Sequence, residues 1–167
     1  MNAIQILALA VAAQAAAPPA TVPPAEPASP DLITRADASA VAKASIEACE
    51  RRNERVMALV TDADGHLRAA LSSDNATGAG FRTAPLKTAT VLAFHASTRD
   101  LAVRLANDPA FAAQYGQDPR YFYHPGALPI FKSGKFVAVV AVGGGHDQDE
   151  ACAYEGLKLL PWAKTSP

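Results

Sequence analysis

Two turn signatures limit what this chain can fold into. Asp62-Ala63-Asp64-Gly65 separates the apolar run 56–61 from a second extended segment, 66–71, and Lys132-Ser133-Gly134-Lys135 separates 129–131 from 136–142. A tight glycine-bearing turn joins strands that run antiparallel, because a parallel neighbour needs a crossover of a dozen or more residues. The chain is therefore committed to two β-hairpins. Helical patterns surround them. Thr34-Arg35-Ala36-Asp37 reads as a capping box, and after it Ala38, Val41, Ala42, Ser45, Ile46 and Cys49 recur at helical spacing. Thr83 is expected to cap a second helix running to about residue 97, with Pro85 in its first turn, where a missing N–H costs nothing. On that helix Leu86, Ala89, Thr90 and Ala93 form the expected core face, and Thr88, Val91, Leu92 and His95 a second face open to a ligand or a partner subunit. Residues 99–106 read as helix, Asp108-Pro109 ends it, and 121–124 read as extended. Asp147-Gln148-Asp149-Glu150 opens a last helix to about residue 160, with Cys152, Ala153, Gly156, Leu157 and Leu160 as its stripe. The order predicts an α+β fold, a single domain with an antiparallel sheet flanked by helices.

The first thirty residues are of another kind. Residues 1–17 carry no charged side chain, 3–13 are apolar, and Ala13-Gln14-Ala15 is a small-x-small cleavage site, which predicts a signal peptide over 1–15. The apolar run is shorter than the ~20 residues that span a bilayer. Residues 16–30 are Ala/Pro-rich and read as an extended linker. The folded domain is expected over 31–164, in the periplasm or secreted, where disulfides persist. Cys49 and Cys152 sit on the apolar stripes of the first and last helices, where a bridge or two buried free thiols would fit equally. With 15 basic and 16 acidic residues the net charge is -1, which leaves no electrostatic footprint for nucleic acid.

Several catalytic signatures are missing, among them Gly-x-Ser-x-Gly, His-Glu-x-x-His, the P-loop and Cys-x-x-Cys. Gly143, Gly144 and Gly145 stand where a strand hands over to a helix, so their N–H groups can hold an anion; the alternative is capping by Asp147, Asp149 or Glu150. The set His146, Asp147, Asp149 and Glu150 matches no metal loop. Lys87 and Arg82 are cations on an otherwise apolar helix, suited to pairing with carboxylates or to plain solvation. His124 and His146 lie in loops, where function concentrates, and His95 lies on the second helix.

Taken in order, Val60-Thr61-Asp62-Ala63-Asp64-Gly65, Asp74-Asn75-Ala76, Ala84-Pro85-Leu86-Lys87-Thr88-Ala89-Thr90 and Thr98, then Pro125-Gly126-Ala127-Leu128-Pro129-Ile130, Val142-Gly143-Gly144-Gly145 and Gln148-Asp149-Glu150-Ala151-Cys152-Ala153, resemble the GlcG/HbpS-like family of haem-binding proteins. The resemblance runs over about 32–160, with departures at Ser72, Thr88 and Ala127. It implies a profilin-like homo-oligomer that binds b-type haem non-covalently, in keeping with the missing Cys-x-x-Cys-His. It makes His124, His146 and His95 the candidate axial ligands and Lys87 and Arg82 the candidate propionate partners. Some secreted members pass a haem or redox signal to a membrane sensor. Two other readings stand beside it: a binding module for a small carboxylate, held by the glycine run and Lys87, and a small-metabolite enzyme whose reaction the spacing does not reveal.

Overall fold

Both hairpins form, and they share one sheet in the computed structural model, which describes residues 32–167. The expected signal peptide and linker lie outside the described residues. β1 (Met57–Asp62) pairs with β2 (Leu67–Ser72), and β3 (Ala127–Lys132) with β4 (Lys135–Gly143). β1 also pairs with β4, so the fully antiparallel order is β2-β1-β4-β3. The β3–β4 turn has φ of 51° at Ser133 and 80° at Gly134. Positive φ at both central residues is the turn whose twist matches that of the strands.

The sheet is covered on both sides, which is why 137–142 are all buried and show no alternation. α1 (Arg35–Glu50) and α5 (Asp149–Leu157) pack on one face, against Ala58, Val60, Leu128, Ile130, Val140 and Val142. Thr34 caps α1 as expected, accepting from the Asp37 N–H at 3.0 Å. A disulfide joins Cys49 of α1 to Cys152 of α5, with Cα atoms 5.4 Å apart, so the two stripes are bridged rather than left as free thiols. On the other face Val91 of α2 (Gly78–Phe94) meets Val139, Ala141 and Ala127. α3 (Thr98–Asn107) and α4 (Pro109–Tyr115) follow, each with a side-chain cap, Ser97 and Asp108.

α2 departs from the sequence expectation. It begins at Gly78, more than a turn before Thr83, whose hydroxyl donates back to Ala79 O at 2.9 Å instead of capping. Pro85 is thus interior. The buried residues are Gly80, Ala84, Lys87, Thr88, Thr90 and Val91, so Thr90 of the expected core face is buried and the expected second face carries part of the core as well. The cause is close approach: a Cβ on Gly80 would stand 2.7 Å from Gly143 O and 3.2 Å from Met57 N. The small residues, rather than the larger apolar ones, decide which side lies on the sheet. Residues 121–124 form no strand; Phe122 N–H is tied to Thr90 Oγ1 of α2 at 2.8 Å. The last helix is shorter than expected, closing at Leu157.

Candidate functional site

At the end of the sheet where Met57 faces Gly143, three segments converge beside the first turns of α2. Ala79, Thr83 and Lys87, one turn apart along a single side of the helix, form one wall of a cavity of about 130 Å³. Phe122 and His124 come from the loop before β3, Gly144 and His146 from the loop after β4, and Asp149 from the start of α5.

Lys87 lies at the base and is 1% exposed. Its Nζ donates to Asp149 Oδ2 at 2.6 Å, Pro125 O at 2.9 Å and Val142 O at 3.0 Å, so its three protons meet three acceptors. The other carboxylate oxygen of Asp149 accepts the Gly145 N–H at 2.7 Å. Burial pushes the Lys87 ammonium below its ordinary pKa and the Asp149 carboxyl above its own, and each charge opposes the other's shift. Lys87 is therefore neither a solvated lysine nor a free cation for a ligand, and at Gly145 the capping alternative holds. Gly126, at φ 146°, passes directly over Lys87 Nζ with no room for a Cβ.

His124 is half-exposed beside Phe122, with ring centroids 6.1 Å apart and planes within 14°. Its Nε2 lies 3.6 Å from Asp147 Oδ1. His146 opens a 3-10 turn (His146–Gln148) at φ 51°, a left-handed backbone uncommon outside glycine. Of the expected site residues, His124, His146, Lys87 and Gly144 meet at this cavity, while Gly143 and Gly145 flank it. His95 does not: it terminates α2, about 12 Å along the helix from Lys87, and stacks on Phe136 at 4.1 Å. Arg82 is exposed and does not line the cavity.

The structure adds Thr83, Phe122 and Asp149 as lining residues. The sequence marked Thr83 as a cap and Phe122 not at all, because an early α2 and a loop tied to Thr90 place them at the cavity. Among the described residues the group of three carboxylate or imidazole side chains that come within 4.8 Å of one another is Asp62, Asp64 and His66, in the β1–β2 turn away from the cavity. There Asp62 already accepts two backbone N–H groups and has Arg68 3.9 Å away.

A family model described as haem degrading protein HbpS-like matches residues 33–158. Among solved structures, the crystal structure of HbpS aligns at 29% identity and TM-score 0.69, covering 81% of this chain and 94% of that one. A double mutant of HbpS from Streptomyces reticuli aligns at 30% identity and TM-score 0.68, covering 87% and 98%. A PduOC complex with haem aligns at TM-score 0.72 over 81% and 99%, though at 17% identity this likeness is one of fold. No curated protein matches the chain.

Proposed function

Because the chain belongs to the HbpS-like family, we propose that it is an exported protein that binds b-type haem non-covalently in the cavity beside α2. The observation that carries the reading is that His124 and His146, from two separate loops, line one cavity whose wall includes a flat aromatic side chain, Phe122. Among the described residues the His146 imidazole has no hydrogen-bond or ion-pair partner, which leaves it available as an axial donor. His124 has Nδ1 3.4 Å from Pro125 O and Nε2 3.6 Å from the exposed Asp147 carboxylate, so Nε2 is the nitrogen open toward a ligand. The cavity is smaller than the ~300–1,000 Å³ that bury a drug-sized ligand. It therefore suits one edge of a planar ligand, with the remainder on the surface. Haem, when bound, supplies an iron centre whose behaviour its axial ligand sets.

This chain's own residues supply the frame. Phe122 shields one side from water, and the Lys87–Asp149 pair fixes both histidine loops. Arg82, exposed and without a partner among the described residues, is the candidate cation that remains to take a propionate, since Lys87 is spent internally. The Cys49–Cys152 bridge supports export to an oxidising compartment. In that compartment the protein sequesters haem or reports it to a membrane sensor. The small-carboxylate reading, which relied on Lys87 and the run Gly143, Gly144 and Gly145, loses ground because Lys87 and the Gly145 N–H are already paired.

The test is a hemin titration of residues 16–167, followed at the Soret band. We expect a saturable, sharpened band at a defined stoichiometry, shifted by His146→Ala or His124→Ala and unmoved by His95→Ala. A band identical to that of free hemin, or one unchanged when both His124 and His146 are alanine, overturns the reading.

A further inference from the structure

We propose that Thr90 is a positioning residue for His124: its hydroxyl fixes the segment 121–124 at one place along α2, and with it the imidazole at the cavity. The role toward a ligand rests on the haem reading of that cavity, whereas the hold on the segment does not. The segment forms no strand, yet its side chains alternate. Tyr121 and Tyr123 turn to Phe94, with ring centroids 5.1 Å and 6.5 Å from it, in a cluster that also holds Phe111 and Tyr115. Phe122 and His124 instead line the cavity, their ring planes within 14° of each other. Extended backbone sorts side chains in this way. A slip by one residue would bring tyrosine to the cavity and carry the imidazole into the aromatic cluster.

Apolar packing is non-directional, so the rings choose which side chains face the cluster and leave the position along α2 loose. Two α2 residues one turn apart set that position by hydrogen bonds. Thr90, 0% exposed, accepts the Phe122 N–H at 2.8 Å while its own proton reaches Leu86 O at 2.8 Å, so the hydroxyl is itself held by the helix. Lys87 Nζ donates to Pro125 O at 2.9 Å. His124 lies between the two anchors. With Lys87 alone the segment would pivot at Pro125, and the bond to Phe122 removes the pivot. Thr98 gives the comparison. It is also 0% exposed, and its hydroxyl accepts the Ala127 N–H at 3.1 Å. Each threonine thus pins one backbone N–H of the same stretch, but Thr98 does so beyond Pro125, on the side away from the imidazole.

The experiment compares the parent with Thr90→Val, which deletes the hydroxyl, Thr90→Ser, which keeps it, and Thr98→Val, which makes the same deletion beyond Pro125; Thr90→Ala takes the place of Thr90→Val should valine leave the chain unfolded. All are measured well below their melting temperatures. Without ligand, amide hydrogen exchange at Phe122 should quicken about tenfold or more in Thr90→Val and stay near the parent's rate in Thr90→Ser and Thr98→Val. With hemin, Thr90→Val should weaken binding about tenfold or more and shift the reduced spectrum in the direction that His124→Ala does. Thr90→Ser should restore both, and Thr98→Val, though less stable than the parent, should change neither. Unaltered exchange at Phe122 in Thr90→Val refutes the proposal. Equal spectral changes in Thr90→Val and Thr98→Val refute it too, since a loss of stability alone gives that result. A parent that takes up no hemin overturns the haem reading and the ligand role with it, and exchange at Phe122 then decides the hold on the segment by itself.

Discussion

Lys87→Met removes one charge from the buried pair and leaves the other in place. The Asp149 carboxylate then keeps a single strong donor, the Gly145 N–H at 2.7 Å, in a site from which water is nearly absent. Breaking a buried ion pair by deleting one partner costs about 3–5 kcal/mol, because the remaining charge is uncompensated. For a domain of this size that is a fall of about 10 °C or more in Tm. Asp149→Asn should cost a similar amount, by stranding the ammonium against two carbonyls, while the amide oxygen still accepts from Gly145. The double variant carries no charge at either position and should recover much of the loss, with a coupling of about 2–3 kcal/mol between the sites.

The pH dependence gives each single variant its own sign. Burial already raises the Asp149 pKa, and Lys87 is what restrains it. Without Lys87 the folded-state pKa rises further above the unfolded value of about 3.9. The penalty is therefore full above the folded pKa and vanishes below the unfolded one, so the deficit of Lys87→Met should narrow as pH falls from 7 toward 4. Burial lowers the pKa of Lys87, so the deficit of Asp149→Asn should narrow instead as pH rises toward 10. Thermal melts of the four proteins across this range test both signs. Single variants within about 1 kcal/mol of the parent, additive losses, or a Lys87→Met deficit that widens in acid would refute the reasoning.

Two further outcomes follow from the packing. The Cys49–Cys152 bridge closes a separation of 103 residues, so replacing both cysteines by serine should cost about 4–5 kcal/mol in a denaturant titration; two free thiols counted in denaturant without reductant would remove the bridge itself. Gly80→Ala should destabilise by about 1–3 kcal/mol by lifting α2 off the end of β4, and a melting temperature equal to the parent's would show that the helix has slack there.

The hairpins were legible because their turns announce themselves in residues with few other uses: Ser133 and Gly134 adopt the positive φ that a two-residue connection requires. α1 was legible because its cap and its stripe agree. α2 was misread in start and in face, and for one reason. Large apolar residues mark a face only when a helix is held off its neighbour by their side chains. Here Gly80 and Ala84 let backbone approach backbone, so of the expected core face Thr90 is buried, Leu86 and Ala89 are partly buried and Ala93 is exposed. The same shift carried His95 to the helix end and brought Ala79 and Thr83 to the cavity.

Lys87 shows why the site itself resisted reading. A lysine in sequence is a solvated side chain by default, since its burial is tolerated only with partners. Its partners here come from three places, Pro125, Val142 and Asp149, and no spacing connects them. Once assembled, the arrangement joins the two histidine loops through a single atom. Pro125, whose carbonyl Lys87 holds, directly follows His124; Asp149, whose carboxylate Lys87 holds, binds the Gly145 N–H directly before His146. Loosening that ammonium frees both imidazoles together, so Lys87 is a positioning residue for the pair even though neither histidine touches it. A variant that broke only one loop would move one imidazole and leave the other, and for that reason Lys87→Met should perturb a haem spectrum more than either loop's own surface substitutions do.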